Sequence, residues 1–583
     1  MLKLPYMNRL NRSQSVTVNL QGLNLTGTLA DGEWEYTQNM DAAMAPIIAR
    51  REKRVLVGKL DKPNGMLATD KLCFVDGKKF YYNGFYYGDV EDSPKQMVAM
   101  GSRICIFPDK VYFDTESYSF TPMEQKNTTT GEVTVELARG DGTPYEDYTT
   151  GQEEPEEPAA GQMWLDTSGS VAVMKTWAES TGMWVEEATT YVCVRAQGIG
   201  VGLKADDAVT VEGILGVDLD GDWILSTVED DLIVYTGIIE EPQQQTETVT
   251  VSRKCPDMDY VVEMDNRLWG CSSENHELYA CALGDPTNWR RYAGLSTDSY
   301  AVTIGTPGNF TGAAVVNSSV IFTKEHCIHK VYGTMPSNYQ TEVDHYRGAE
   351  RGSGASLVRV NELLYYKSVF DMCVYDGTQV VSISGRLGRE KFMNGVAGYN
   401  DRRVYFGVQD KSGNHHLLVY DTTNGLWMRE DDVHVLAFAQ CQTETFMLTA
   451  EGEVWALRAG EYAKDFFMLG SDYKVEATEE SDKDIRWCLR TGELLAGLPN
   501  NKHISKIQIM LELGENASAM VRIRKDNEAW QTAMHITAAA KRRHTLPIYP
   551  KRCDRLQVEI AGVGDVKVMG MSRMVEAGSE YGR

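Results

Sequence analysis

Long apolar runs are missing from this 583-residue chain: no stretch approaches the roughly 18 residues needed to span a bilayer. Residues 1–16 are polar and hold no apolar core, which predicts no secretory signal. Proline is scarce, at 17 residues, and no Cys-x-x-Cys pair occurs. The eleven cysteines are Cys73, Cys105, Cys193, Cys255, Cys271, Cys281, Cys327, Cys373, Cys441, Cys488 and Cys553. Their odd number and scattered placement within apolar runs favour buried free thiols, made in a reducing cytoplasm, over disulfides or a zinc cluster. Basic charge is also short, with 58 Lys and Arg against 83 Asp and Glu, a net charge of −25. Such a chain does not hold nucleic acid by neutralising phosphates. It suits either a soluble, abundant protein or the wall of a passage through which a polyanion slides without sticking.

What is present is a folded composition rich in turns. Apolar residues make up 42% and aromatics 9%, with 29 Tyr and 52 Gly. The length predicts two to four domains. A phrase recurs along the chain. Its clearest copy reads Val261-Val262-Glu263-Met264-Asp265-Asn266-Arg267-Leu268-Trp269-Gly270, then Glu277-Leu278-Tyr279-Ala280, then Gly284-Asp285-Pro286-Thr287-Asn288-Trp289. That is an apolar strand, a polar turn, a second apolar strand and a small element closed by Trp. Looser copies begin near residues 314, 357, 396 and 435. Two earlier ones lie at Leu72-Cys73-Phe74-Val75 with Lys79-Phe80-Tyr81-Tyr82, and at Ile104-Cys105-Ile106-Phe107 with Val111-Tyr112-Phe113. A period near 40 residues, each unit holding three or four short strands, is the pattern of propeller blades. The expected fold is therefore all-β: a β-propeller of about seven blades, six being possible, with an inserted small β module and a C-terminal antiparallel β-sandwich.

The expected division is as follows. Residues 1–125 form an N-terminal arm and the first blades. Residues 126–250 form one or two inserted small β modules with acidic linkers. Residues 251–465 hold the remaining blades, and residues 466–583 the sandwich. The first linker contains Glu153-Glu154-Pro155-Glu156-Glu157-Pro158 and the second Glu240-Glu241-Pro242-Gln243-Gln244-Gln245. Between them lie Trp164-Leu165-Asp166-Thr167-Ser168, Lys175-Thr176-Trp177 and Trp184. In the last segment Ile507, Ile509, Leu511 and Leu513 alternate with Gln508, Met510 and Glu512, as sandwich strands do. Lys541-Arg542-Arg543 and Lys551-Arg552 give it local positive charge, suited to an acidic partner surface or to a solvated strand face.

Motifs that carry chemistry are weak. Gly198-Ile199-Gly200-Val201-Gly202 lacks the G-x-G-x-x-G spacing and a following helix, so it reads as a turn. Asp218, Asp220, Asp222 and Glu229 match part of a calcium loop, but Trp223 stands where that loop needs Gly, and the flanks read as strands; a hairpin turn is the better reading. His326 and His329 would point to opposite faces of a strand. His276-Glu277 lacks the second His of a zincin, Arg139-Gly140-Asp141 falls in the acidic linker, and Gly352-Ser353-Gly354 reads as a turn rather than a nucleophile elbow. No catalytic, cofactor-binding or metal residue is assigned, and no enzyme activity is expected.

The blade phrase Asn266-Arg267-Leu268-Trp269-Gly270 through Asn288-Trp289 and the opening Met40-Asp41-Ala42-Ala43-Met44-Ala45-Pro46 resemble tail nozzle (tail hub, or packaged-DNA stabilisation) propeller proteins of tailed bacteriophages and prophages, and the Trp164–Trp177–Trp184 phrase resembles small modules common in phage tail proteins. The resemblance spans roughly residues 15–460 and, more weakly, the C-terminal sandwich. It implies a structural protein of the virion tail or neck, assembled in the host bacterial cytoplasm and self-associating in a ring, as a homo-hexamer. Its partners would be portal, adaptor and other tail proteins, with transient genomic DNA in the lumen, no cofactor and no membrane insertion. Two other readings stay open at this point. One is a tail or neck fibre that binds host glycans. The other is a propeller-type glycan hydrolase or lyase.

Overall fold

A computed structural model describes residues 12–441, 444–457, 484–494, 502–537 and 543–577. Its described residues fold into β-strands joined by turns and three short 3-10 segments. Seven four-stranded antiparallel sheets follow the repeat. Their innermost strands are Pro63–Ala68, Gln96–Met100, Tyr260–Met264, Phe310–Val316, Val358–Val360, Phe392–Asn400 and Val435–Cys441. Each innermost strand packs beside the next, and Val435–Cys441 packs beside Pro63–Ala68, so the ring closes at seven blades.

The tight turns have local causes. Asp265 and Asn266 both take positive φ, 54° and 58°, as do Asn317 and Ser318 at 48° and 57°. Two consecutive left-handed residues make the turn whose twist matches the flanking strands, and Asn and Asp tolerate that conformation best among residues with a side chain.

Strand alternation then does the assembly. Successive residues of a strand point to opposite faces. In the second strand of blade one, Leu72–Asp76, Phe74 enters the cluster shared with blade seven, while Cys73 and Val75 enter the cluster shared with blade two. In blade three, Leu268 faces blade two, and Trp269 and Cys271 face blade four. Seven apolar clusters of this kind fill the seven gaps between blades. Each large side chain buried this way contributes about 1.5–3 kcal/mol.

Blade seven takes its outermost strand from far away in the chain. Val55–Lys59 pairs antiparallel with Glu453–Ala456. Gly452, at φ 82°, allows the closure: a Cβ there would sit 2.0 Å from the Leu60 carbonyl oxygen, and the Leu60 N–H donates to the Gly452 carbonyl at 2.8 Å.

The sandwich is likewise built from both ends of the chain. One sheet joins Lys502–Leu513, Arg543–Ile548, Lys551–Cys553 and Val566–Ala577 with Arg12–Thr17, Met40–Asp41 and Ile48–Arg50. The other joins Arg486–Thr491, Ser518–Lys525, Gln531–Thr537 and Leu556–Val563 with Trp34–Gln38. Trp34, Met40, Ile48, Trp487, Ile509, Val521 and Ile560 meet in one core. The sequence reading makes residues 1–125 an N-terminal arm and the first blades; strand pairing puts strands between Arg12 and Arg50 in the sandwich instead. The propeller therefore sits between two halves of the sandwich in chain order.

The insert leaves the ring between blades two and three. Its larger sheet has eight strands and begins and ends with the paired strands Gln125–Thr128 and Thr250–Arg253. A second sheet of four strands runs from Tyr148–Gly151 to Met183–Glu186, and its Leu165 and Met174 join the insert's core. Parts of both expected linkers are ordered strands. Tyr148–Gly151 pairs in parallel with Met163–Asp166, and Gln243–Gln245 pairs with Val133–Val135. Backbone hydrogen bonding overrides the extended-spacer composition at these two places.

All eleven cysteines are free and buried. Burial pushes the thiols of Cys73, Cys105, Cys281 and Cys488 up to about 12. The native protein at pH 8 is therefore expected to resist a thiol reagent such as DTNB, with all 11 sulfhydryls titrating only after denaturation. Rapid reaction of several thiols in the native state would contradict this burial.

Candidate functional site

A cleft opens where the insert meets the ring. Docking begins at Asp207, which is fully buried. One carboxylate oxygen accepts from an Arg253 guanidinium nitrogen at 2.8 Å and the other from the Asn288 side-chain amide at 2.6 Å. Backbone bonds extend the seam: the Ala208 N–H donates to the Arg290 carbonyl and the Tyr292 N–H to the Asp206 carbonyl. Asn288 belongs to the recurring phrase, and the phrase's other residues hold the loop in shape. Asp285 accepts from the Thr287 N–H at 3.0 Å, and the Trp289 ring N–H donates to the Pro286 carbonyl at 2.9 Å. Trp289 itself is buried between blades two and three.

Beside this seam opens a cleft of about 560 Å³. Trp223 and Asp222 come from the insert, Tyr279 and Glu277 from a blade-three hairpin, and Arg290 and Tyr292 from the loop after it. The Tyr279 hydroxyl donates to Glu277 at 2.6 Å and accepts from the Asn275 amide at 3.1 Å. Burial, with the neighbouring Glu277 carboxylate, pushes that phenol up to about 12. Asp222 accepts from the Thr210 hydroxyl at 2.5 Å and lies 3.4 Å from Arg290. At the far rim Lys110 pairs with Asp257 at 2.8 Å and Glu124 at 3.0 Å. Burial favours its neutral form, but the two carboxylates outweigh it and raise the ammonium above its ordinary value. Aromatic rings line the cleft, and its charged groups are engaged with one another.

The motifs singled out in the sequence are occupied by structure. Asn127 donates its amide to the carbonyls of Ile199 and Val201 at 2.9 and 2.8 Å, holding the Gly198–Gly202 turn against the insert. Asp220 accepts from the N–H groups of Gly213 and Ile214, both at 2.9 Å, and Glu229 ends the strand Gly221–Glu229. Among the described residues no three His, Cys, Asp or Glu side chains are placed to hold one metal ion. His326 is exposed, whereas His329 is buried beside Thr306 at 2.8 Å, where burial and then Lys324 hold it down at about 4. Ser353 is buried and accepts from the Gly395 N–H at 2.8 Å.

A second surface was not legible in the sequence. On the outer face of the sandwich Arg490 lies between Tyr36 at 5.2 Å and Trp530 at 5.4 Å, and Arg429, reaching over from the last strand of blade six, lies over Tyr36 at 5.1 Å. Arg522 and Arg524 also approach Trp530, at 5.9 and 5.1 Å. Glu559, with a side chain 1% exposed, sits beneath, paired with Arg490 at 2.7 Å and with Arg522. Guanidinium groups and aromatic rings from four strands and the loop holding Trp530 alternate here, with more positive than negative charge at the surface. Of the basic runs seen in the sequence, Lys551 and Arg552 are exposed on the other sheet, while Lys541 and Arg542 lie outside the described residues.

No protein-family model and no curated protein matches the chain. Among solved structures, KlHsv2 with loop 6CD replaced by a Gly-Ser linker aligns at 12% identity and TM-score 0.26, over 49% of this chain and 87% of that one. An exo-beta-1,3-galactanase from Phanerochaete chrysosporium, solved with galactose, aligns at 9% identity and TM-score 0.21, over 52% and 92%. BamB from Moraxella catarrhalis aligns at 9% identity and TM-score 0.21, over 62% and 92%. Scores this low leave the argument with the strand pairing of the chain itself.

Proposed function

We propose that the protein is a structural component of a phage tail or neck, a nozzle-like ring that forms or extends the DNA exit channel. The observation that carries this reading is the segregation of charge. Residues 484–583 hold 16 of the 58 basic residues but only 11 of the 83 acidic ones, so the excess of negative charge lies in the propeller and insert. The arginine face around Trp530 is thus complementary to the acidic remainder of a second copy. A contact between two different patches of identical chains is heterologous, and it closes into a ring when the rotation allows. The resemblance of the blade phrase to nozzle proteins points the same way. The seven innermost strands carry only two charged residues, Glu263 and Arg359, so a single propeller's bore is not the acidic passage. DNA would run along the axis of the ring of copies, past their acidic outer surfaces, which repel rather than hold it.

Cryo-electron microscopy of purified virions tests the reading: density for this chain off the portal–tail axis would end it. Ring formation has its own check. The double substitution Arg522→Glu and Arg524→Glu is expected to shift the protein from oligomer to monomer in native mass spectrometry at low salt. High salt is expected to weaken the wild-type ring in the same direction.

A further inference from the structure

The four-stranded sheet of the insert has one face already used and one left over. Register pairs Trp164 with Lys175, Asp166 with Val173 and Trp177 with Trp184. Those side chains share one face, while Leu165 and Met174, on the opposite face, are buried in the insert's core. The leftover face therefore points away from that core. Its three indoles are locked edge to face, Trp184 lying 5.4 Å from both Trp164 and Trp177. Trp164 is buried, and its ring N–H donates to the Gly151 carbonyl at 3.1 Å. Trp177 and Trp184 are only half-buried. Lys175 stands over the Trp164 ring at 5.1 Å and pairs with Asp166 at 2.8 Å. Three strands spaced about 4.8 Å apart make a rigid platform about 10 Å across.

We propose that this Trp177–Trp184 face is a binding site for a neutral polysaccharide of pyranose rings. A pyranose presents an apolar C–H face that lies flat on an indole and a rim of hydroxyls for Asp166, Lys175 and Glu186. An apolar protein or lipid partner would strip water from those charged groups without pairing them. The surroundings fix the charge of the ligand. Glu153, Glu154, Glu156, Glu157, Glu179, Glu186 and Glu187 belong to this small unit or its flanks, and they disfavour acidic glycans. Locked rings lose little conformational freedom on binding, so a small contact suffices. This site adds an activity to the ring-forming role and does not depend on it.

The test uses the full chain with chitohexaose, cellohexaose and maltohexaose as neutral probes and a hyaluronate hexasaccharide as the acidic one, read by calorimetry and tryptophan fluorescence. Saturable binding of at least one neutral probe is expected, with none of the acidic one. Trp177→Ala and Trp184→Ala are each expected to weaken binding about tenfold or more. Tyr549→Ala, at an exposed ring of the sandwich, is expected to leave it unchanged. Oxidation by N-bromosuccinimide, mapped by mass spectrometry on the wild-type chain, reads the same contact without a substitution. The bound probe is expected to protect Trp177 and Trp184. Absence of binding by every neutral probe at millimolar concentration overturns the proposal, as does binding without protection of these two rings.

Discussion

A chain lacking residues 1–60 is expected to reach no stable folded state. In the sequence this stretch reads as an arm to about Arg12 followed by the approach to the first blades, with nothing that ties it to the sandwich. In the structure it supplies the outermost strand of blade seven, Val55–Lys59, with Val57 and Leu60 buried between blades seven and one. It also supplies four strands of the sandwich, with Trp34, Met40 and Ile48 in the core. Removing one such side chain costs about 2–5 kcal/mol, and a whole domain is stable by only about 5–15 kcal/mol. Losing three of them together with five strands exceeds that margin. The measurement is soluble yield with circular dichroism and thermal unfolding. A soluble truncated protein melting cooperatively within a few degrees of the full chain would refute the closure described above. Trp34→Ala alone is expected to cost about 3–5 kcal/mol, felt in the sandwich.

Asp207→Ala is expected to loosen the insert from blade three at a cost of about 3–5 kcal/mol. The reason is what stays behind: Arg253, 6% exposed, would keep its charge with its carboxylate partner gone, and the Asn288 amide would lose its acceptor. Hydrogen exchange should quicken at residues 204–212 and 284–292 while the sandwich stays protected. Adding Arg253→Leu to Asp207→Ala should recover part of the loss, because the orphaned charge is then removed as well. Equal exchange in the wild type and Asp207→Ala would show that the seam is held by the backbone bonds alone.

The blades were readable because their rule is local. Met264-Asp265-Asn266-Arg267 states its own turn, and Leu268-Trp269-Gly270-Cys271 states two buried faces by the absence of polar alternation. The seven copies in the sequence coincide with the seven sheets. The insert stood out as a break in that period. Val55-Leu56-Val57-Gly58-Lys59 was not readable as a blade strand, because its partner lies near residue 455 and nothing in five residues names it. The basic face was missed for a similar reason. A run such as Lys541-Arg542-Arg543 catches the eye, whereas Arg429, Arg490, Arg522 and Arg524 come from separate strands and meet only through sheet order.

By itself, then, the sequence determined the all-β class, the blade period, the site of the interruption and the alternating strands of the sandwich, all features that short-range sterics and side-chain periodicity dictate. Tertiary structure alone decided that the ring closes through Val55–Lys59, that both ends of the chain complete one sandwich, and which charges and indoles share a surface. Strand pairing is non-local: a strand's partner is chosen by which exposed edge and apolar face remain to be covered once the other strands have assembled, and no window of residues contains that choice.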